Sequence, residues 1–478
     1  MKRTFALLPV FSLLAACTVV GPNHRVPDDA AIRSPAASAP FIGVDGSATS
    51  IAPLPPRWWS LYDDPQLDGL VRQALSANTD LRVASAHLRR ALAQRDEVDA
   101  LAGPHAVASA SARRAQSAGE SYLLPRKLAA ANLADLGVQV SYQVDLFGRI
   151  ARSEEAADAN VGAGQAALES ARVTVVAETV AAYVQLCAAT HEQAVGERVL
   201  ALQQRSVELV QRLADAGRGP VTDVTRAQAQ AETLRAALPL LEAERSAARY
   251  RLAALLGEMP RDFDARKVDC AQVPQLRAPV PAGDGAALLA RRPDVREMER
   301  QLAFASAKIG VATAALYPDI SIGASVGFTG LLDHLGQGRT TRWGLGPLIS
   351  WSIPDSGARA RVVQAEADAE AALARFDGVV INAIRETETA LARYVHALES
   401  QAALRAARDA ADTARQQQAR LYAAGRTPYI ASLDAERTLA DAEARLARSE
   451  SAVAEEQVRL FLALGGGWEM AVTDGDLR

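Results

Sequence analysis

Along most of this chain apolar residues recur at intervals of three and four, the spacing of a helix with one buried face. In two places the interval falls to two, the spacing of a strand. The helical spacing predicts helices from Pro65 to about Leu101, from Gly148 to Ala216 and from about Val221 to Gly257, then over 286–316, 358–424 and 429–464. Strand spacing is plainest where Leu136, Val138, Val140, Tyr142, Val144 and Leu146 alternate with Gly137, Gln139, Ser141, Gln143 and Asp145. A weaker strand precedes it near 105–113, across a polar loop at 114–134. In the second place Ile320, Ile322, Ala324, Val326 and Phe328 alternate with Ser321, Gly323, Ser325 and Gly327. After a loop at 330–342, Trp343, Leu345, Pro347, Ile349, Trp351 and Ile353 continue at period two.

Helix, two strands, long helix, reversal, helix: this order occurs twice. Ala77-Asn78-Thr79-Asp80 and Pro104 correspond to Arg291-Arg292-Pro293-Asp294 and Pro318, at offsets 294 − 80 = 214 and 318 − 104 = 214. The two reversals are near copies. Arg212-Leu213-Ala214-Asp215-Ala216-Gly217-Arg218-Gly219-Pro220 matches Arg420-Leu421-Tyr422-Ala423-Ala424-Gly425-Arg426-Thr427-Pro428, at offset 425 − 217 = 208. A Gly that can take a left-handed conformation ends a helix, and the Pro beyond it cannot continue one. Each copy is therefore the tip of a helical hairpin, at about 214–221 and 422–429, with Arg218 and Arg426 as exposed basic groups just past Gly217 and Gly425.

Leading into the first tip, Val195, Val199, Leu202, Ser206, Leu209 and Leu213 keep a heptad spacing. Val224, Ala227, Ala231, Leu234, Leu238 and Leu241 keep it on the way out, a coiled-coil hairpin whose returning helix Pro239 should kink. In the second hairpin Leu373, Phe376, Val380, Ile384, Thr387 and Leu391 space as 3-4-4, the period of nearly straight packing. Nearer that tip Leu404, Ala407, Ala411, Ala414, Gln418 and Leu421 return to 3-4. The long helix before the first tip should reach on the order of 95 Å at 1.5 Å per residue.

The N-terminus sets the compartment. Lys2 and Arg3 precede an apolar run from Phe5 to Leu14, a secretory signal too short to span a bilayer. It ends in Leu14-Ala15-Ala16-Cys17, which resembles a bacterial lipobox, so Cys17 is expected to carry a covalent lipid. No Asp follows the Cys, which favours the outer membrane. The chain is accordingly divided as signal peptide 1–16, lipidated Pro-, Ala- and Ser-rich tether 17–56, first repeat 57–257, irregular linker 258–284, second repeat 285–467 and tail 468–478. Asp64 caps the first helix, with Pro65 at its first position. The net charge of −4 argues against a nucleic-acid partner, and aromatics at 5% suit close Ala-mediated helix packing over a thick globular core. Of the mature chain's remaining cysteines, Cys187 lies in a long helix and Cys270 in the linker. The periplasm permits a bond between them, but their placement favours two separate thiols.

Strands of 10–12 residues with one apolar and one polar face, bordering polar loops, are those of a membrane barrel. Four cannot close a barrel and open edges are not tolerated in lipid, so several chains must contribute. Three would supply twelve strands and twelve long helices about one axis. The class is mostly α with a small membrane β part, in two tandem repeats.

At this point the chain resembles a family, the TolC family of outer-membrane efflux factors in its lipoprotein branch. The likeness rests on the lipobox with Gly21-Pro22, on Trp58 to Leu67, and on Asn78-Thr79-Asp80-Leu81-Arg82. It extends to Val144-Asp145-Leu146-Phe147-Gly148-Arg149, Arg291-Arg292-Pro293-Asp294, Leu316-Tyr317-Pro318 and Leu464-Gly465-Gly466-Gly467-Trp468. Leu101-Ala102-Gly103-Pro104 departs from it, many relatives having an aromatic before that Pro. The resemblance implies a homotrimer with a 12-stranded outer-membrane barrel, a periplasmic α-barrel and an equatorial domain. It also implies a passive duct docking through a periplasmic adaptor onto an inner-membrane RND-type pump, with the adaptor at the hairpin tips.

Asp434 lies nine residues past Gly425, roughly 13 Å along a helix. Three copies near an axis would form a carboxylate ring favouring cations; a solvated Asp in the first turns of a helix is the plainer alternative. Leu433-Asp434-Ala435 is similar to the family's aperture motif, and Ala431 stands where some relatives carry a second Asp. Tyr422 matches the family's gate hairpin, while Arg426 sits one place before the position of a gating Arg in some relatives. Gly323-Ala324-Ser325-Val326-Gly327 fits a hydrolase pattern, but that pattern needs a strand-to-helix elbow and Ser325 sits within an alternating strand. The six histidines show no spacing for a zinc site, and no phosphate-binding loop appears, so no enzyme and no cofactor are expected and energy must come from a partner. A small-molecule efflux duct is the leading reading, ahead of a protein-secretion duct and of a periplasmic coiled-coil spacer without a pore.

Overall fold

The computed structural model describes residues 19–44, 48–264, 268, 270, 272–276, 278–353 and 357–466; residues 1–18, Cys17 among them, and the tail 468–478 lie outside them. In chain order the elements are β1 (Thr49–Ser50), α1 (Pro65–Ala77), α2 (Thr79–Asp99), β2 (His105–Ala115), β3 (Ala131–Val144), α3 (Arg149–Asp215) and α4 (Val221–Leu255). Then follow β4 (Val280–Pro281), α5 (Gly285–Arg291), α6 (Pro293–Ala314), β5 (Asp319–Leu331), β6 (Thr341–Ser350), α7 (Ala358–Ala423) and α8 (Tyr429–Ala463). The chain is mostly helical, and its order repeats. It divides into two compact units, one drawn from Met1–Pro27, His87–Gln165 and Glu297–Phe376, the other from Asp28–Ala86, Ala166–Arg296 and Asp377–Arg478.

The first unit holds an antiparallel sheet in the order β2-β3-β5-β6, so the central pairing joins one repeat to the other. Its register keeps like with like. Ala108, Val138, Val326 and Trp343 stand in one row, and Ala106, Val140, Ala324 and Leu345 in the next on the same face. The opposite face carries Gln139 beside Ser325 and Ser141 beside Gly323. There Arg342 reaches across to Asp135, Nη2 to Oδ1 at 2.8 Å, and its Nε donates to the Thr329 hydroxyl at 2.8 Å, while Thr329 donates to Asp135. A one-residue slip would turn this set to the other face, so the ion pair and the alternation fix the same register.

The stretch from Val19 on has no periodicity, yet it is pinned in this unit. Val20 N–H donates to the Phe147 carbonyl at 3.2 Å. Buried Arg152 donates from Nε to Val20 O at 3.0 Å, and from Nη2 to Gly21 O at 3.0 Å and Asn23 Oδ1 at 2.9 Å.

In the second unit Asp64 Oδ1 accepts from the N–H groups of Gln66 and Leu67 at 2.9 and 3.3 Å and so caps α1. Trp58 stacks on Phe461 with ring centroids 4.3 Å apart, in a core that includes Leu67, Leu252, Leu288, Leu391 and Leu460. The sequence predicts unbroken helices to about Leu101 and over 286–316; the first breaks after the 13 residues of α1 and the second after the 7 residues of α5. At Asn78 ψ is 135°, and its Oδ1 accepts from Asp80 N–H at 2.8 Å, starting α2 afresh. At Arg292, the repeat equivalent, ψ is 121° ahead of Pro293, as the residue before a proline prefers.

The cysteines also differ from expectation: Cys187 and Cys270 form a disulfide across 83 residues, with Cα atoms 5.2 Å apart. The linker does not stand clear of α3. Phe263, Val273 and Val280 pack into the same core as fully buried Cys187 and bring Cys270 to it. In the first hairpin the seam shifts as well. Val199, Gln203, Ser206 and Val210 are buried on α3, while Leu202 and Leu209 are 47% and 43% exposed. On α4 Val224, Ala227 and Ala231 are buried as their spacing predicts, and the helix continues through Pro239.

Candidate functional site

Both hairpins end in the same bonded turn. Gly217 N–H donates to Ala214 O at 2.9 Å and Arg218 N–H to Leu213 O at 2.8 Å; Gly425 donates to Tyr422 O and Arg426 to Leu421 O, each at 2.9 Å. The glycines have φ of 65° and 71°, the left-handed cap that satisfies a helix's last carbonyls. A Cβ on either would meet nothing within 4 Å, so glycine is needed there for its backbone and not for room. Arg218 and Arg426 are exposed.

Just inside the tips a small core joins α3, α4 and α8: Val210, Val224, Ala227, Tyr429 and Leu433 are buried together. Tyr422, half-buried, sets its ring 5.5 Å from that of Tyr429. The Tyr429 hydroxyl lies 3.0 Å from Ser206 Oγ, which donates onward to Glu436 Oε1 at 3.3 Å. Burial pushes the Tyr429 hydroxyl up to about 12, with the Ser206 bond opposing and Glu436 adding to the rise. Burial likewise raises Tyr422, helped by Asp223, and raises Glu436 above the usual carboxylate range against the Ser206 bond and the charge of Arg415. Neutral side chains are thus favoured at this joint.

The residues singled out in the sequence fall in two sets. Tyr422 belongs to the buried joint, whereas Asp434 is exposed on α8, one residue past buried Leu433. Gly217, Arg218, Gly425 and Arg426 form the tip surfaces. Cys17 lies outside the described residues, two before Val19. Ser325 stands mid-strand between Gln139 and Gly344, not at a strand-to-helix elbow. Sequence reasoning named Ser206 only as a seam position and missed Glu436, with which it meets across 230 residues. Tyr429 was visible as part of the duplicated turn, but nothing in its spacing assigns it a partner.

A family model described as outer membrane efflux protein matches residues 70–258 and 286–466. The chain is similar to nodulation protein T of Rhizobium leguminosarum bv. trifolii, 29% identical over 99% of this chain and 100% of that one. It is also similar to the solvent efflux pump outer membrane protein SrpC of Pseudomonas putida, 28% identical over 98% and 99% of the two chains. Among solved structures, the outer-membrane channel OprN superposes with a TM-score of 0.87 at 37% identity, covering 94% of this chain and 99% of that one.

Proposed function

Since this chain belongs to the outer membrane efflux protein family, we propose that three copies of it close one pore and pass small molecules outward under the drive of an inner-membrane pump. It is an outer-membrane efflux channel with a large periplasmic part, of a family of transporters rather than enzymes. The observation that carries the trimer is the sheet. Its four strands have an apolar face on which Trp343, Leu345 and Ile349 are 82%, 73% and 63% exposed, and β2 and β6 are its two edges. In lipid such edges must be paired. Three sheets joined edge to edge make a closed 12-stranded barrel with that face outward and the Gln139, Ser141 and Ser325 face lining the lumen.

In this reading the hairpin tips receive a periplasmic adaptor linked to an RND-type pump, and Cys17 carries the lipid that holds the N-terminus in the same membrane. Three exposed Asp434 carboxylates, brought near the axis, narrow the periplasmic opening and favour cations, while Tyr422 on the buried joint sets the hairpin against its neighbour. Similarity to a solvent efflux pump component favours small apolar solutes as cargo.

The test is deletion of the chain in its host. Loss should raise accumulation of an ethidium-type dye and sensitivity to solvent, with restoration by the wild-type gene. Unchanged accumulation, with no second duct of the same family expressed, overturns the reading.

A further inference from the structure

The two ends of the sheet differ in how their charges are held. At the helix-joined end Arg149 pairs with Asp319 at 3.2 Å, Gln143 donates to Asp319 at 3.1 Å, and Phe147 stacks on Tyr317 with ring centroids 4.6 Å apart. That is a charge-balanced, aromatic border of the kind found at membrane interfaces. The other end is formed by the β2–β3 and β5–β6 loops. Once Arg342 is paired with Asp135, and with Arg113 set aside because it stands in the Leu133 row on the Asp135 face, it carries Arg114, Arg126, Lys127 and Arg339 against Glu120 and Asp333, a net charge of 4 − 2 = +2.

The β2–β3 loop is folded, not slack. Gln116 Nε2 donates to Leu128 O at 2.6 Å and Leu124 N–H to Gly119 O at 3.0 Å. A Cβ on Gly119 would lie 1.9 Å from Arg126 O, so glycine alone permits the crossing. The fold presents Leu123, at φ 56° and 94% exposed, with Leu124 at 37%, beside exposed Arg126 and Lys127. A large apolar residue held in the left-handed region and exposed to this degree is a costly placement for a surface loop.

The pair recurs as Leu331-Leu332, at offset 331 − 123 = 208, the same offset as the tips. Leu331 still pairs with Leu133 on the face of Asp135 and Thr329, so Leu332, 45% exposed and in the loop, is the counterpart that counts; exposed Arg339 follows it.

We propose that this end of the barrel binds a phosphorylated glycolipid of the outer leaflet, its leucines among the acyl chains and its cations on the phosphates. Apolar side chains flanked by exposed Arg and Lys are what an anionic lipid surface selects. The proposal rests on the outer-membrane reading, because the loop end faces away from the helices and so out of the periplasm.

Native mass spectrometry of the full-length protein in mild detergent, titrated with bisphosphorylated lipid A and with its dephosphorylated form, tests it. The wild type should retain the phosphorylated lipid at least 10-fold better. Arg126→Glu with Lys127→Glu should remove that preference while leaving the oligomer's mass unchanged, and Arg126→Gln with Lys127→Gln should weaken it if the charge reversal fails to assemble. Arg218→Glu with Arg426→Glu, at the tips, should leave it intact. Equal retention of both lipids by the wild type, or full preference in the loop variants, overturns the proposal without touching the efflux reading, which dye accumulation tests separately.

Discussion

At equivalent points of the two repeats a polar side chain at a helix break donates to the last turn of a returning helix, but the residue differs. In the first repeat Asn78 Nδ2 donates to Leu255 O at 3.1 Å; in the second Arg292 Nη1 donates to Ala463 O at 2.9 Å. The acceptors are related by 463 − 255 = 208. Arg292 goes on to grip both oxygens of Asp294, at 3.0 and 2.6 Å, and Glu386 at 3.1 Å. Asn78 has no such charges, but the first hairpin is closed instead by the Cys187–Cys270 bond, whose segment contains the tip, all of α4 and the part of α3 from Cys187 onward. Duplication has preserved where the chain breaks and turns, while each copy is fastened by its own chemistry: a covalent loop in one, an ionic clamp in the other.

That contrast can be broken from either side. Cys187→Ser with Cys270→Ser should have the largest effect, about 4 kcal/mol for a loop of this length on chain-entropy grounds. Hydrogen exchange should rise across 188–269 and stay unchanged across 396–466; equal loss in both hairpins would show that the bond does not act locally. Arg292→Ala should cost about 2–3 kcal/mol, since it strips a mostly buried guanidinium from two carboxylates and a carbonyl. Asn78→Ala should cost about 1–2 kcal/mol, the loss of a cap and one buried hydrogen bond. Denaturation midpoints of the two variants compare the clamps directly, and Arg292→Lys should not rescue the first, because an ammonium cannot hold Asp294 by two bonds.

The tips are a milder perturbation at each site than the ionic clamp. Gly217→Val with Gly425→Val meets no steric obstacle, so its cost is the left-handed backbone alone, about 1–2 kcal/mol per site. Oligomers should assemble at normal abundance while adaptor cross-linking and efflux are lost. Normal pumping would reduce the tips to punctuation.

The smallest effect expected is that of pH on the tip joint. Burial raises Glu436, so the folded state binds its proton more tightly than the unfolded chain does. Its stabilising contribution is complete below the unfolded value, about 4.3, and is lost as pH climbs from there through the folded value. Exchange protection at the start of α8 should therefore fall with rising pH over that window, and Glu436→Gln should flatten the profile.

The repeated order, the tips and the strands were legible because each is written locally, in Gly-to-Pro spacing or in a change of period. The break at Asn78 was not, since a single non-helical residue leaves the apolar spacing on either side intact; that at Arg292 is marked locally by Pro293, a signal that the apolar spacing on either side outweighed. The hairpin seam was misread for a related reason. Leu202 and Leu209 satisfy a heptad by hydrophobicity, yet Gln203 and Val210 are the buried positions, the Gln donating to Ala227 O at 3.3 Å. The disulfide and the Ser206–Tyr429–Glu436 chain depend on partners 83 to 230 residues apart, beyond the reach of any local pattern.

The central claim is that one chain supplies a third of a pore. Multi-angle light scattering of the purified protein in mild detergent, with the detergent mass subtracted, measures this most directly. Three protomers, each 50.6 kDa over the full 478 residues, are predicted in one particle; a stable particle containing a single protomer, with β2 and β6 left unpaired, would contradict the account.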